Sequence, residues 1–369
     1  MNVLHWFGLD RADTGVLSPW ADRAALEAAV FTHLHDLDAD TMPATRGDAM
    51  SVGAVARGRN LITSTVARLP LVAMRGTSPH PDQPSIITQP EEGRARYLTL
   101  VWTLDALIFY GRAFWHVTRR DFDGKPARVE FVPEWHATLN DTGQLTHVAS
   151  KPVDPADTIR FDAHHEGFLA YAAMTVKTAT RLNRAALTAS DNPVPAIELH
   201  QTGGTPLQVD EARRMVEQFI AARKRSGVAY TSASIETKTH GTSPEQLLID
   251  GRKASALEVA RALGLPAWAV DAPTEGTSMT YSNVPSRARE LIDYSLAPYM
   301  ECITSRLSLD DILPRGTWAR FNTDTLLVEA FPERMAAYKT AIETGVYSVD
   351  DLKRRELGTP LEPDRNTDE

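Results

Sequence analysis

Four residues, Leu263-Gly264-Leu265-Pro266, limit what this chain can fold into, because they stop a helix and turn the backbone away. Apolar positions from Leu257 to Leu263 continue a helical pattern up to that point. Glycine then allows the left-handed conformation that ends helices, and proline cannot extend one. A polar segment rich in Thr, Ser and Gly follows, from Asp271 to Asn283. A second long helical run begins near Asn283, with Leu291, Ile292, Leu296, Tyr299, Ile303 and Leu307 on its buried side. Pro298 lies inside that run, removes the hydrogen bond to the carbonyl of Tyr294, and predicts a kink. A short strand carrying Phe321, Asn322 and Asp324 comes next.

The helix that ends at Leu263 has a counterpart upstream. Phe168 to Leu187 is Ala- and Thr-rich with helical spacing, and Asp191-Asn192-Pro193 ends it. Between the two helices the pattern predicts a compact α/β insertion: strand 196–200, a helix, then strands 227–231 and 234–240. The inserted helix is signed by Thr205-x-x-Gln208 with Pro206 at its first position, and Ala212, Met215, Val216, Phe219 and Ile220 form its apolar stripe. Ser243-Pro244-Glu245-Gln246 opens the returning helix, in which Gly251 costs about 1 kcal/mol of propensity.

Earlier in the chain, an irregular arm with a helix at Ala21–His33 precedes a helix over Met50–Leu69, which Pro70 ends before the strand Leu71-Val72-Ala73-Met74-Arg75. Residues 77–94 read as an exposed loop. A helix from Leu98 turns at Gly111 into a strand in which Phe114 and His116 alternate with Trp115 and Val117, and Asp123-Gly124 predicts a hairpin returning through Arg128–Val132. Near the end, 329–357 predicts two short helices, the second opened by Ser348-x-x-Asp351, and the last ten residues read as a disordered tail.

In this order the elements resemble the portal proteins of tailed bacteriophages, in the compact form of long-tailed (siphovirus) phages. The residues that carry the likeness are the Leu263–Pro266 stop, the 271–283 loop, the helix with Pro298, the Phe321–Leu326 strand and the Tyr110-Gly111-Arg112-Ala113-Phe114-Trp115 turn into the hairpin. The resemblance implies an α+β protomer: N-terminal arm and mixed α/β wing (1–165), first stem helix (166–191), small α/β clip (192–242), second stem helix (243–266), tunnel loop with kinked helix and wing return strand (267–324), and a short helical crown with the tail (325–369). It implies a dodecameric ring at one capsid vertex, with no enzymatic activity and no cofactor. Such a ring would be the channel for packaging and ejection of double-stranded DNA, held without sequence specificity. It would be docked by the large terminase and the head-tail connector, seated in the major capsid protein, and assembled in the bacterial host cytoplasm.

Composition bears on this in three places. At 369 residues the chain exceeds one typical domain, and 43% hydrophobic with 24% charged residues is ordinary for a soluble protein. No apolar run reaches the length of a membrane-spanning helix, the first residues lack the basic start of a secretory signal, and a single cysteine, Cys302, excludes an internal disulfide. The net charge of −9 fits either simple solubility or a conduit that must not hold what it conducts.

The resemblance makes 271–283 a DNA-channel loop with Asp271, Thr274, Glu275, Gly276, Thr277 and Ser278, whose hydroxyls could touch phosphates while the carboxylates prevent tight capture; the plain alternative is an interhelical linker. Asp250, Arg252, Lys253, Glu258 and Arg261 mix signs as stem contacts between subunits would. Arg223, Lys224 and Arg225 end the insertion helix, where cations suit the helix dipole; they are also candidates for docking the terminase or connector. No phosphate-binding Gly-rich loop of the G-x-x-x-x-G-K-[ST] type occurs. The rival reading is a metal-dependent hydrolase centred on Asp162, His164 and His165. The Asp36-x-Asp38-x-Asp40 run begins like a calcium loop, but Thr41 and Gly47 stand where that loop needs Gly and Glu.

Overall fold

The computed structural model describes residues 44–191, 197–203, 207–226, 235–239, 248–272, 284–323 and 331–352. The N-terminal arm, strand 227–231, Asp324 and the C-terminal tail of the sequence reading lie outside these. The described helices are α1 (Arg46–Ser51), α2 (Gly53–Arg68), α3 (Ser85–Thr88), α4 (Arg96–Tyr110), α5 (Phe168–Tyr171), α6 (Ala173–Asp191), α7 (Val209–Ser226), α8 (Ile249–Ala262), α9 (Val284–Glu290), α10 (Ala297–Leu307) and α11 (Phe331–Glu343). The strands are β1 (Leu71–Arg75), β2 (Ser78–Pro79), β3 (Arg112–Arg120), β4 (Pro126–Val132), β5 (Ala137–Leu139), β6 (Leu145–Val148), β7 (Lys151–Pro152), β8 (Thr158–Asp162), β9 (Ile197–Gln201), β10 (Ile235–Thr239) and β11 (Thr317–Phe321). The chain divides into two compact units, 1–61 with 165–275 and 62–164 with 276–369.

The second unit holds the larger core. Its centre is α4, on which Leu100, Leu104, Leu107, Ile108 and Phe109 are fully buried. Gly111 ends α4 in the left-handed conformation at φ 72°, its N–H donating to Leu107 O, and so turns the chain directly into β3. Three antiparallel strands in the order β4-β3-β8 pack on α4. Trp115 of β3 is fully buried, donates from Nε1 to Thr103 Oγ1 at 2.8 Å, and meets Phe161 edge-on at 4.7 Å. The predicted alternation of β3 is only half realised, because Phe114 is as buried as Trp115. The reason is a second cover: Phe114 packs with Val132 and Leu145 against Leu139 and Val148 of the small sheet β5-β6-β7.

Residues 77–94, expected as an exposed loop, are partly core. Ile86 and Ile87 on α3 are buried, and Gln83 mimics a strand, its side chain accepting from Ala73 N–H at 2.8 Å and donating to Ala73 O at 3.0 Å. Glu91 is 4% exposed and ion-paired to Arg94, whose guanidinium lies 3.9 Å over Trp102. A Pro- and Ser-rich composition hides such side-chain-to-backbone pairing. The return strand β11 pairs antiparallel with β1, Leu71 opposite Phe321. It ends at Phe321 rather than extending through Asn322, whose N–H instead donates to Pro70 O at 2.8 Å. After α11, the Ser348 capping box forms as predicted, with Ser348 and Asp351 exchanging backbone-to-side-chain bonds at 3.1 Å.

In the first unit, α1 opens on a Thr45–Asp48 capping box. The predicted single helix from Phe168 is two helices, α5 and α6, separated at Ala172 (φ −103°, ψ 15°). α6 and α8 pack against each other. α7 starts at Val209 instead of Pro206: Gln208 precedes it, its carbonyl accepting from Ala212 N–H. Of the stripe on α7, Val216 and Ile220 remain exposed. The described part of the returning helix, α8, begins at Ile249 after Leu248 in the left-handed conformation (φ 51°), and the predicted Ser243–Gln246 start lies outside the described residues. β9 and β10 pair antiparallel, Ile197 opposite Thr239.

Candidate functional site

The helix stop folds as its sequence requires. Gly264, at φ 65°, donates its N–H to Arg261 O at 3.1 Å, and Leu265 N–H reaches back to Ala260 O at 2.9 Å. This pair of bonds is the Schellman pattern, which satisfies the last carbonyls of α8. Pro266 then leads into one 3₁₀ turn, Ala267–Val270, and the same device repeats at its end. Asp271 is left-handed at φ 56°, with Ala272 N–H donating to Ala267 O at 3.0 Å. Leu263, Leu265 and Val270 are buried. The root of the polar loop is thus fixed by two successive backbone turns. Of the predicted loop residues, Asp271 belongs to this root, and Thr274, Glu275, Gly276, Thr277 and Ser278 lie outside the described residues.

The mixed-charge residues of α8 are exposed, and four of them pair within the helix. Lys253 Nζ lies 3.3 Å from Asp250, and Arg261 Nη1 lies 2.5 Å from Glu258. Arg252 and Lys253 also line a cleft of about 350 Å³ whose apolar wall includes Val52, Ala179, Leu182 and Ile249. At the other end of α8, Tyr171 Oη donates to Ala262 O at 2.6 Å. Burial first, and the Glu166 carboxylate second, push the Tyr171 phenol up to about 12.

Arg223, Lys224 and Arg225 fall in the last turn of α7, and their side chains are outside the described set. Pro298 sits in the first turn of α10, directly after a π-helical stretch, Leu291–Leu296, that joins α9 to α10. Ala297 N–H bonds Ile292 O, five residues back, so the run predicted to kink at proline carries an inserted wide turn just before it. That irregularity is what a missing donor at 298 favours.

Asp162, His164 and His165 are not gathered into a ligand set. Asp162 pairs with Arg160 at 2.6 Å. His164 stacks edge-on to Tyr299 at 5.1 Å, and burial pushes its pKa down. His165 Nδ1 accepts from Gly167 N–H at 3.0 Å. Among the described residues no group of three or more His, Cys, Asp or Glu could hold a metal. Cys302 is half-buried, and burial raises its thiol pKa.

Sequence reasoning missed two residues of this site. Arg57 and Gly58 on α2 meet the loop root, with Arg57 Nε 3.6 Å from Asp271 Oδ2. The available signal was a glycine in the interior of an amphipathic helix, which points to close packing.

A family profile described as "Phage portal protein" matches residues 53–356. A "Probable portal protein" of Streptomyces phage phiC31 is 29% identical over 123 residues, 32% of this chain but only 27% of that protein. The crystal structure of an HK97 family phage portal protein from Corynebacterium diphtheriae is similar at TM-score 0.60 and 32% identity, covering 78% of this chain and 98% of that one. The neck of a native gene transfer agent particle, computed with C12 symmetry, contains a chain alike in fold: TM-score 0.60, 16% identity, covering 86% of this chain and 92% of that one.

Proposed function

Because this chain belongs to the phage portal protein family, we propose that it forms a closed ring at one capsid vertex and lines the channel through which double-stranded DNA is packaged and ejected. The observation that carries the reading is the family match across 53–356, which spans the helix stop, the loop root and the return strand together. A head-to-tail interface that closes under rotation leaves an axial hole, which a single chain of this size cannot enclose around a duplex. The C12 symmetry of the similar neck supports a ring of twelve.

Within that ring, α6 and α8 act as stem helices, β9, α7 and β10 as the clip, and the sheets around α4 as the wing. The 271–283 loop projects into the channel, and its hydroxyls brush phosphates without reading bases. Asp250, Lys253, Glu258 and Arg261 exchange their intrahelical partners for those of the next copy, which Arg252 also contacts. Arg223, Lys224 and Arg225 offer the large terminase or the head-tail connector a basic knob, and the wing seats in the major capsid protein. Translocation is driven by the terminase, and the portal performs no catalytic step. Assembly takes place in the bacterial host cytoplasm.

Negative-stain imaging and native mass spectrometry test the ring directly; a protein that stays a single copy even with capsid protein present would overturn it. Shortening the loop by deleting 272–282 is expected to leave rings intact and to reduce DNase-protected genomes. Normal packaging by that variant would remove the channel-loop role.

A further inference from the structure

Of the described glycines in the first unit, Gly58, under the loop root, is the most closely packed. A Cβ placed on Gly58 would stand 2.5 Å from Leu263 Cδ1, 2.8 Å from Leu265 Cδ1 and 3.4 Å from Val270 Cγ1. These three side chains flank the two left-handed turns at Gly264 and Asp271. One residue earlier on α2, Arg57 reaches the second of those turns through Asp271. Gly58 therefore admits the apolar side of the stop, and Arg57 grips its polar end.

We propose that α2 is the seat of the channel loop, with Gly58 and Arg57 as positioning residues that fix where the 271–283 segment leaves the protomer. The inference rests on reading that segment as the channel loop. Helix α8 alone sets only the start of the turn. Beyond it, the turn Ala267–Val270 meets α2 laterally, Val270 at Gly58 and Asp271 at Arg57.

The test uses full-length assembled rings and cleavage after Glu275 by a glutamate-specific protease, read beside genome packaging. Arg57→Gln and Asp271→Asn each remove one charge, and Asn keeps the left-handed turn. Each is expected to speed cleavage about two- to threefold, as befits an exposed ion pair. The double variant should be no faster than either single one. Additive effects, or rates equal to the unmodified ring, would overturn the proposal. Gly58→Val should speed cleavage more than Gly58→Ala, because the single methyl presses only on the flexible ends of two leucines and reaches Val270 at 3.4 Å; equal rates would count against the seat. If Gly58→Val fails to fold, the charge cycle decides. The 272–282 deletion separates the two ideas: normal packaging there sinks the channel-loop reading, and the Arg57–Asp271 cycle still reads the seat by itself.

Discussion

At Tyr171 the fold holds a neutral phenol. Its hydroxyl donates to the last turn of α8, and burial with nearby Glu166 lifts its pKa to about 12. Because the folded value is raised, the stabilisation is complete below the unfolded value near 10 and is lost as pH rises from there to about 12. Tyrosinate absorbance should therefore show a late step near pH 12 that Tyr171→Phe lacks. That variant should also lose about 1 kcal/mol at neutral pH with the missing hydrogen bond, measured by urea unfolding. A late step that persists in Tyr171→Phe would assign it to another tyrosine.

On the scale of elements, Gly251 and Gly58 are both helical glycines with opposite surroundings. A Cβ on Gly251 would meet Leu182 at an ordinary 3.5 Å. Gly251→Ala is thus expected to stabilise the α6–α8 pair by about 0.5–1 kcal/mol, seen as a higher unfolding midpoint; a lower midpoint would show that the gap is not free. The sequence showed both glycines but could not tell them apart, since periodicity reports that a helix passes and not what crosses it. Where one signal suffices, as at Gly264 or the Ser348 box, sequence and structure agree. They part where tertiary cover decides: on β3, buried from both sides, and at Gln83, where a side chain replaces a strand. The loop root was legible as a stop, and its support on α2 was not, because Arg57 and Asp271 are far apart in the chain.

For the whole molecule, the net charge of −9 bears on how firmly the proposed ring would hold a duplex. Without excess cation there is little counterion release on meeting a duplex. Isolated rings should accordingly bind linear DNA more weakly than about 10⁻⁴ M at physiological salt, the weak end of non-specific binding; a mobility shift at micromolar protein would contradict the slippery-conduit view. The one thiol of the chain adds a practical consequence. Cys302 is half-buried, and burial raises its thiol pKa so that less of it is ionised; the thiolate is the reactive species. A cysteine introduced at Phe122, which is 98% exposed, would outrun it towards maleimide dyes near neutral pH, giving one fluorophore per copy with the native thiol left in place.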